Sequence, residues 1–328
     1  GTLGADATRR LWHYCKEGGE ENARLALQYA AHLIGRAEEP PQARPMPSAG
    51  FWPREPKPDH RPNAAILFYR ALVAGADTAP IAALCKALDA EGLNPVPIFI
   101  TSLKDERSLA FLHTALATHP PDVIINATAF ATATAADDSG ALAAFDCPVL
   151  QVALAGTSQA NWEVSSRGLA PRDLAMHVVL PEVDGRIFAH AVAFKQRSDA
   201  TAVTGFAPTV YVPISDRVTA TADLAASWAT LRRTPVQQRH TAVVLANYPN
   251  RDGRLANGVG LDTPESLTGI LAAMRAAGYE TDDAPRDATT MMRLLQDGPT
   301  NALADRAARA GGTSWPLKDY EAAFATLP

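Results

Sequence analysis

Between residues 64 and 154 the chain alternates short apolar, β-rich runs with amphipathic stretches, and few folds accept that pattern. "AAILFY" (64–69), "PVPIFI" (95–100), "DVIINAT" (122–128) and "PVLQVAL" (148–154) read as buried strands. "TAPIAALCKALDAEG" (78–92) and "DERSLAFLHTALATH" (105–119) read as helices between them, the first closed by a glycine, and "DSGALAAF" (138–145) as a short third. Strands that are apolar throughout, each followed by a helix, predict a parallel sheet covered on both faces with right-handed crossovers. The expected fold is therefore α/β, a flavodoxin- or Rossmann-like parallel-sheet unit.

The flanks differ. Apolar positions at helical spacing over 7–36 (Leu11, Tyr14, Leu25, Tyr29, Leu33) predict two short helices parted by "EGG". From Glu38 to Asn63 eight prolines deny both helix and central strand, so an extended surface linker is expected, pinned by Phe51 and Trp52. After the sheet, a helix starts near Pro171 and strands follow at 186–195 and 209–214, then a helix at 221–233. "TAVVLAN" (241–247) reads as the strand opening a second unit, followed by a long polar loop and the helix 263–279, with Pro264 in its first turn and Asp262 as its cap. Helices are expected near 287–297, 301–310 and 317–326. The expected division is 1–62, a helical segment and linker; 63–185, the flavodoxin-like domain; and 186–328, part of a second α/β region.

Composition narrows the function. The 30 basic and 35 acidic residues leave a net charge of -5, with no electrostatic footprint for nucleic acid. No window reaches the roughly 18 consecutive apolar residues of a membrane span. Cys15, Cys85 and Cys147 are too few and scattered for a disulfide framework or a thiolate metal site, which fits a reducing, cytoplasmic setting. The opening "GTLGADATRR" lacks Met and a signal-peptide pattern, and reads as the interior of a longer chain.

Ligands of open α/β sheets bind beyond the carboxyl ends of the strands. Four loops qualify: "YRALVAGADT", "NATAFATATAADDSG", "AGTSQANWEVSSRGLAPRD" and "NYPNRDGRLANGVGLDT". All are rich in hydrogen-bonding side chains, and loops this long in a compact domain are commonly functional. The last has neither a dinucleotide fingerprint nor the "GK[ST]" of a phosphate-binding loop, and "AGTSQA" does not supply a nucleophilic serine elbow. Asp173 and His177 stand four apart on one helix face, with Glu182 and Asp184 just beyond. Such a group suits a divalent cation, or equally contains a histidine turned to solvent near a helix end.

The runs 67–105, 122–131, 148–187 ("PVLQVALAGTSQANWEVSSRGLAPRDLAMHVVLPEVDGRI") and 246–279 ("ANYPNRDGRLANGVGLDTPESLTGILAAMRAAGY") resemble the large subunit of ATP-dependent tetrapyrrole metal chelatases. The CobN-type subunit of aerobic cobaltochelatase is the nearer match. The magnesium chelatase H subunit resembles "LPEVDG" but departs around "NYPNRDGR". The likeness spans about residues 64–279 and only a portion of such a subunit. It implies insertion of Co²⁺ into the corrin precursor hydrogenobyrinic acid a,c-diamide in cobalamin biosynthesis, with ATP hydrolysed by separate AAA+ partner subunits. Glu163, Glu182 and His177 are then the candidates for metal delivery and proton abstraction. Arg70, Arg167, Arg251 and Arg254 are candidates for the substrate's carboxylate arms, with Asn126, Trp162, Asn247 and Asp252 completing the substrate contacts. Two other readings are a non-catalytic module that docks the corrinoid or the partner subunits, and a two-lobed small-molecule binding protein.

Overall fold

A computed structural model describes residues 3–53, 55–56, 59–133, 140–201, 203–246, 255–258, 260–298, 309 and 314–327. The chain divides into two compact units, Gly1–Arg232 and Arg233–Pro328.

The first unit opens with two helices, α1 (Ala5–Glu17) and α2 (Gly19–Leu33). Gly18 and Gly19 break them at φ +67° and +82°, and a Cβ on Gly18 would fall 2.8 Å from the Ala74 carbonyl oxygen. Tyr14, Leu25 and Tyr29 bury a small core between the helices. The proline-rich segment is tied down by Asn22, whose side chain donates to the Arg44 carbonyl at 2.9 Å and accepts from the Arg44 N–H at 2.9 Å.

That segment also holds strand β1 (Ala49–Phe51), which a linker reading does not anticipate. It adds antiparallel to β3 (Asn94–Ile100) at the edge of the sheet, where prolines on either side cost no ladder hydrogen bonds. Phe51 and Trp52 pin it, by edge-on contacts to Phe111 and Phe68.

Among the described residues the sheet has seven strands. With β2 (Asn63–Tyr69), β4 (Val123–Asn126), β5 (Val149–Ala155), β6 (Ile187–Arg197) and β7 (Thr209–Pro213), its order is β1-β3-β2-β4-β5-β6-β7. The five inner strands are parallel, and β1 and β7 are antiparallel edges. In β2, Ala64, Ile66 and Phe68 enter one core with Leu84 and Leu88 of α4 (Ala79–Ala90) and Ala222 and Ala225 of α9 (Ser215–Arg233). Ala65 and Leu67 enter the other, with Leu112 and Leu116 of α5 (Glu106–Thr118). Alternate side chains thus bury on opposite faces, and this is why the run is apolar throughout.

β6 and β7 extend this same sheet, and the compact unit runs to Arg232. The boundary expected at 185/186 does not coincide with that division, because β5 still had an open edge to pair and the next apolar run filled it. Over 138–145, only Ala143–Phe145 forms a helical turn among the described residues.

The second unit carries α10 (Thr263–Ala276), α11 (Ala288–Asp297) and α12 (Leu317–Phe324). Asp262 caps α10, accepting from the Glu265 N–H at 3.1 Å. Residues 241–246, expected as a strand, form none, and Val244 is 92% exposed. A strand exists by its ladder, and no described segment of this unit pairs with the run. Residues 301–308 of the expected 301–310 helix lie outside the described residues.

Candidate functional site

β2 is flanked by β3 on one side and β4 on the other, so the crossover from β2 to β3 and the one from β3 to β4 run in opposite directions across the sheet. That reversal opens a crevice at the carboxyl ends of β2 and β4. A cleft of about 530 Å³ lies there. Tyr69 lines it from the end of β2 and Leu72 from the short helix α3 (Arg70–Ala74) that follows, Ala127, Ala129 and Phe130 from the loop after β4, and Leu154, Gly156 and Thr157 from the end of β5. Lys195 of β6 and Tyr211 of β7 close the far side.

The remaining wall is a broken helix. α7 (Pro171–Leu174) begins on a proline, continues through a wide π-type turn at Ala175–Val179, and resumes as α8 (Leu180–Val183). Pro181 accounts for the widening. It has no N–H for the His177 carbonyl, and its ring would press on that oxygen in a regular α-turn. The loop after β4 meets the same turn, the Phe130 N–H donating to the Met176 carbonyl at 3.1 Å.

This wall brings Asp173 and His177 to the cleft, both buried. Asp173 is committed: its carboxylate accepts the Gly156 N–H at 3.1 and 3.2 Å, clamping α7 to the end of β5. His177 makes no such commitment, and its Nδ1 is shut off from solvent without a hydrogen-bond partner among the described residues. Burial holds its pKa below the ordinary histidine value, against the pull of Asp173, so the imidazole is neutral near pH 7. The Tyr69 hydroxyl accepts from the Ala129 N–H at 3.0 Å, and burial raises its pKa. Tyr211 is likewise raised, first by burial and then by Asp173 and Asp77; its N–H donates to Asp77 at 2.9 Å. Lys195 Nζ stands 5.1 Å from the centre of the Tyr211 ring.

A pH dependence of stability follows. The unfolded imidazole titrates near 6.5, the folded one lower, so between those values the unfolded state holds more protons and folding stability rises with pH. His190 is shifted the same way, by burial and then by Arg217. Stability is therefore expected to fall as pH drops below about 6.5. Urea midpoints at pH 5 and pH 7 should differ less in His177→Asn than in the parent; equal differences would contradict the assignment.

The residues nominated from sequence scatter. His177 lines the cleft. Glu182 is exposed, and so is Glu163, which accepts from the Gln159 side chain at 2.8 Å within α6 (Gln159–Glu163). Among the described residues no three His, Cys, Asp or Glu side chains group to hold a metal ion, so Glu163, His177 and Glu182 do not form a joint metal centre. Their spacing along the chain placed them near one another, but two of the three ended on the solvent side of short helices.

Arg70 is held by the carbonyls of Pro47 and Met46, at 3.0 and 3.1 Å, and so secures the proline-rich segment. Asn126 is fully buried in a side-chain network inside the sheet. Trp162 packs on Phe194 with the Arg217 guanidinium 4.4 Å from its ring centre, and Arg167 is exposed. Asn247, Arg251, Asp252 and Arg254 lie outside the described residues. Lys195 and Tyr211 were not foreseen because the strands carrying them were assigned to another region. Asp173 was visible only as a neighbour of His177 on a helix face.

A family model described as CobN/Magnesium Chelatase matches residues 12–328. The aerobic cobaltochelatase subunit CobN of Sinorhizobium sp is 43% identical across the whole chain, and that of Pseudomonas aeruginosa 40%. The magnesium-chelatase H subunit of Rhodobacter capsulatus is 27% identical over 97% of the chain. Among solved structures, the catalytic subunit of cobaltochelatase from Mycobacterium tuberculosis superposes over the whole chain with a TM-score of 0.79 at 28% identity. The chain spans 27% of the length of the two CobN relatives and of that structure. Among the described residues no helix is long and apolar enough to cross a membrane.

Proposed function

The chain belongs to the CobN/magnesium chelatase family, and from that premise we propose that it is part of the tetrapyrrole-handling large subunit of a cobaltochelatase. In this reading the subunit inserts Co²⁺ into hydrogenobyrinic acid a,c-diamide in cobalamin biosynthesis, in the cytoplasm, and separate AAA+ subunits hydrolyse the ATP. The observation that carries the reading is the cleft at the sheet's switch point, in a chain matched end to end by two cobaltochelatase subunits. Its volume falls within the ~300–1,000 Å³ usual for ligand sites. Its lining combines aromatic and aliphatic walls with Arg172, Lys195 and His177. A flat apolar macrocycle fringed with acid and amide arms suits such walls: Leu72, Phe130 and Met176 exclude water from a ring edge, and the cations meet the arms.

The exposed positions of Glu163 and Glu182 favour a second reading, in which this part of the subunit docks the corrinoid and the chemistry is completed elsewhere. One experiment addresses the proposal and another separates the two readings. Titrating the chain with hydrogenobyrinic acid a,c-diamide should quench its tryptophan fluorescence to saturation; a linear, unsaturable response would defeat the proposal. In the full-length subunit with its motor partners and ATP, Glu163→Gln with Glu182→Gln should abolish cobalt insertion if these acids act, and leave it intact if this region only docks. The chain by itself is expected to insert no cobalt.

A further inference from the structure

His177 is neutral, so one ring nitrogen carries a proton and the other a lone pair. Nδ1 is closed to solvent and has no partner among the described residues. A proton there would be a buried donor without an acceptor, which costs about 1–3 kcal/mol. A bare Nδ1 would be an orphan too, but among buried backbone groups an orphaned N–H is rarer than an under-satisfied acceptor, and the same order is taken for the ring nitrogens. Nε2 has no hydrogen bond to the described residues either, but it is not shut off as Nδ1 is, and the residue lines the cleft. The proton therefore belongs on Nε2, where water or a ligand can accept it.

Charge in the cleft agrees with a donor at that position. Among the described residues its lining holds one carboxylate, Asp173, whose two oxygens share the Gly156 N–H. Lys195 approaches the Tyr211 ring and stands in no ion pair within 4 Å among the described residues, and Arg172 at the rim is exposed. With His177 neutral, two cations face one committed anion. A metal ion taken at Nε2 would add to that positive charge, and would also drive the ring proton onto the buried Nδ1.

We propose that His177 meets its ligand as an Nε2–H donor, and that with Lys195 it forms a subsite for an oxygen acceptor, a carboxylate arm, rather than a ligand for a metal ion. The subsite rests on the cleft being the macrocycle site; the tautomer does not.

The two parts are separable by experiment. Long-range ¹H–¹⁵N correlation spectra of the chain carrying ¹⁵N-histidine, with the His177 signals assigned from their loss in His177→Asn, report the tautomer directly. A protonated Nε2 and bare Nδ1 at neutral pH are expected; a protonated Nδ1 would overturn the inference whatever the cleft binds. Adding Co²⁺ alone should leave those resonances in place, and their shift or broadening by stoichiometric metal would also overturn it. Hydrogenobyrinic acid a,c-diamide should bind His177→Asn and Lys195→Met each about tenfold or more weakly than the parent, the range for a hydrogen bond to a charged group. Its fully esterified form should distinguish parent from variants poorly. Equal binding of the acid by parent and variants would remove the subsite. Failure of the parent to bind any corrinoid would remove the functional reading and the subsite, and leave the tautomer to stand or fall on the spectra.

Discussion

Asp184→Ala is expected to destabilise the first unit by about 3–5 kcal/mol, the cost of breaking a buried ion pair by removing one partner. Asp184 and Arg186 are paired with side chains 3% and 1% exposed. Without the carboxylate, Arg186 keeps a 3.4 Å contact to the Gln151 side-chain oxygen, and its Nε already lacks a partner among the described residues. Asp184 does more than neutralise it. It accepts the N–H groups of Thr132 and Ala133, at 2.8 and 2.7 Å, and the Thr132 hydroxyl at 2.8 Å. Burial would raise the pKa of this carboxyl, yet those donors and Arg186 together hold it below the ordinary aspartate value. The bonds gather the loop after β4, which carries Ala129 and Phe130 into the cleft. Urea unfolding followed by far-UV circular dichroism would measure the loss, and a change under about 1 kcal/mol would show that the pair is not holding the unit together. Asp184→Leu with Arg186→Met should recover much of it, since the pair's cost is desolvation as much as its gain is attraction.

The sheet was legible because its evidence is local. Ala64–Phe68 are apolar at every position, and only a strand buried on both faces needs that. A helix start was legible for the same reason at Asp262, which accepts from the Glu265 N–H at 3.1 Å. What failed to show was every feature fixed by partners distant in the chain. β1 exists because β3 offered an edge, and 241–246 is no strand because nothing described pairs with it. The cleft follows the same division. The switch-point rule located it, but Lys195 and Tyr211 reach it from strands whose place in the sheet is set by pairing alone. Arg70 and Asn126 sit in loop-adjacent positions typical of ligand contacts, and only the fold reveals that the protein uses both internally. Pro181 interrupts this helix, yet nothing in the run "DLAMHVVLPEVDG" says that the turn would widen at His177 instead of ending.

Asn126 provides the sharpest test of that last distinction, through the isosteric change Asn126→Asp. The side chain is fully buried at the end of β4. Its Nδ2 donates to the Gln151 side-chain oxygen at 2.7 Å and to the Thr128 carbonyl at 3.2 Å, and its oxygen accepts the Thr128 hydroxyl at 2.8 Å. Replacing the amide nitrogen by oxygen sets two acceptors against each other at both contacts. Gln151 cannot relieve this by turning over, because its own nitrogen is held by the carbonyls of Thr128 and Val152, at 2.8 and 3.1 Å. Two spoiled buried bonds and a carboxyl out of water should together cost about 3–5 kcal/mol. Burial would also raise the new carboxyl's pKa above its unfolded value near 3.9, so the native state holds the proton more tightly. Stability of the variant should therefore decline, relative to the parent, as pH rises through about 4 and upward. A residue that contacts substrate behaves otherwise: stability stays near the parent's and corrinoid affinity alone drops. Thermal melts of parent and variant at pH 4.5 and 7.5, beside a fluorescence titration with the corrinoid, separate the two. A variant as stable as the parent at both pH values would return Asn126 to the substrate and dissolve the buried network as its reason for being there.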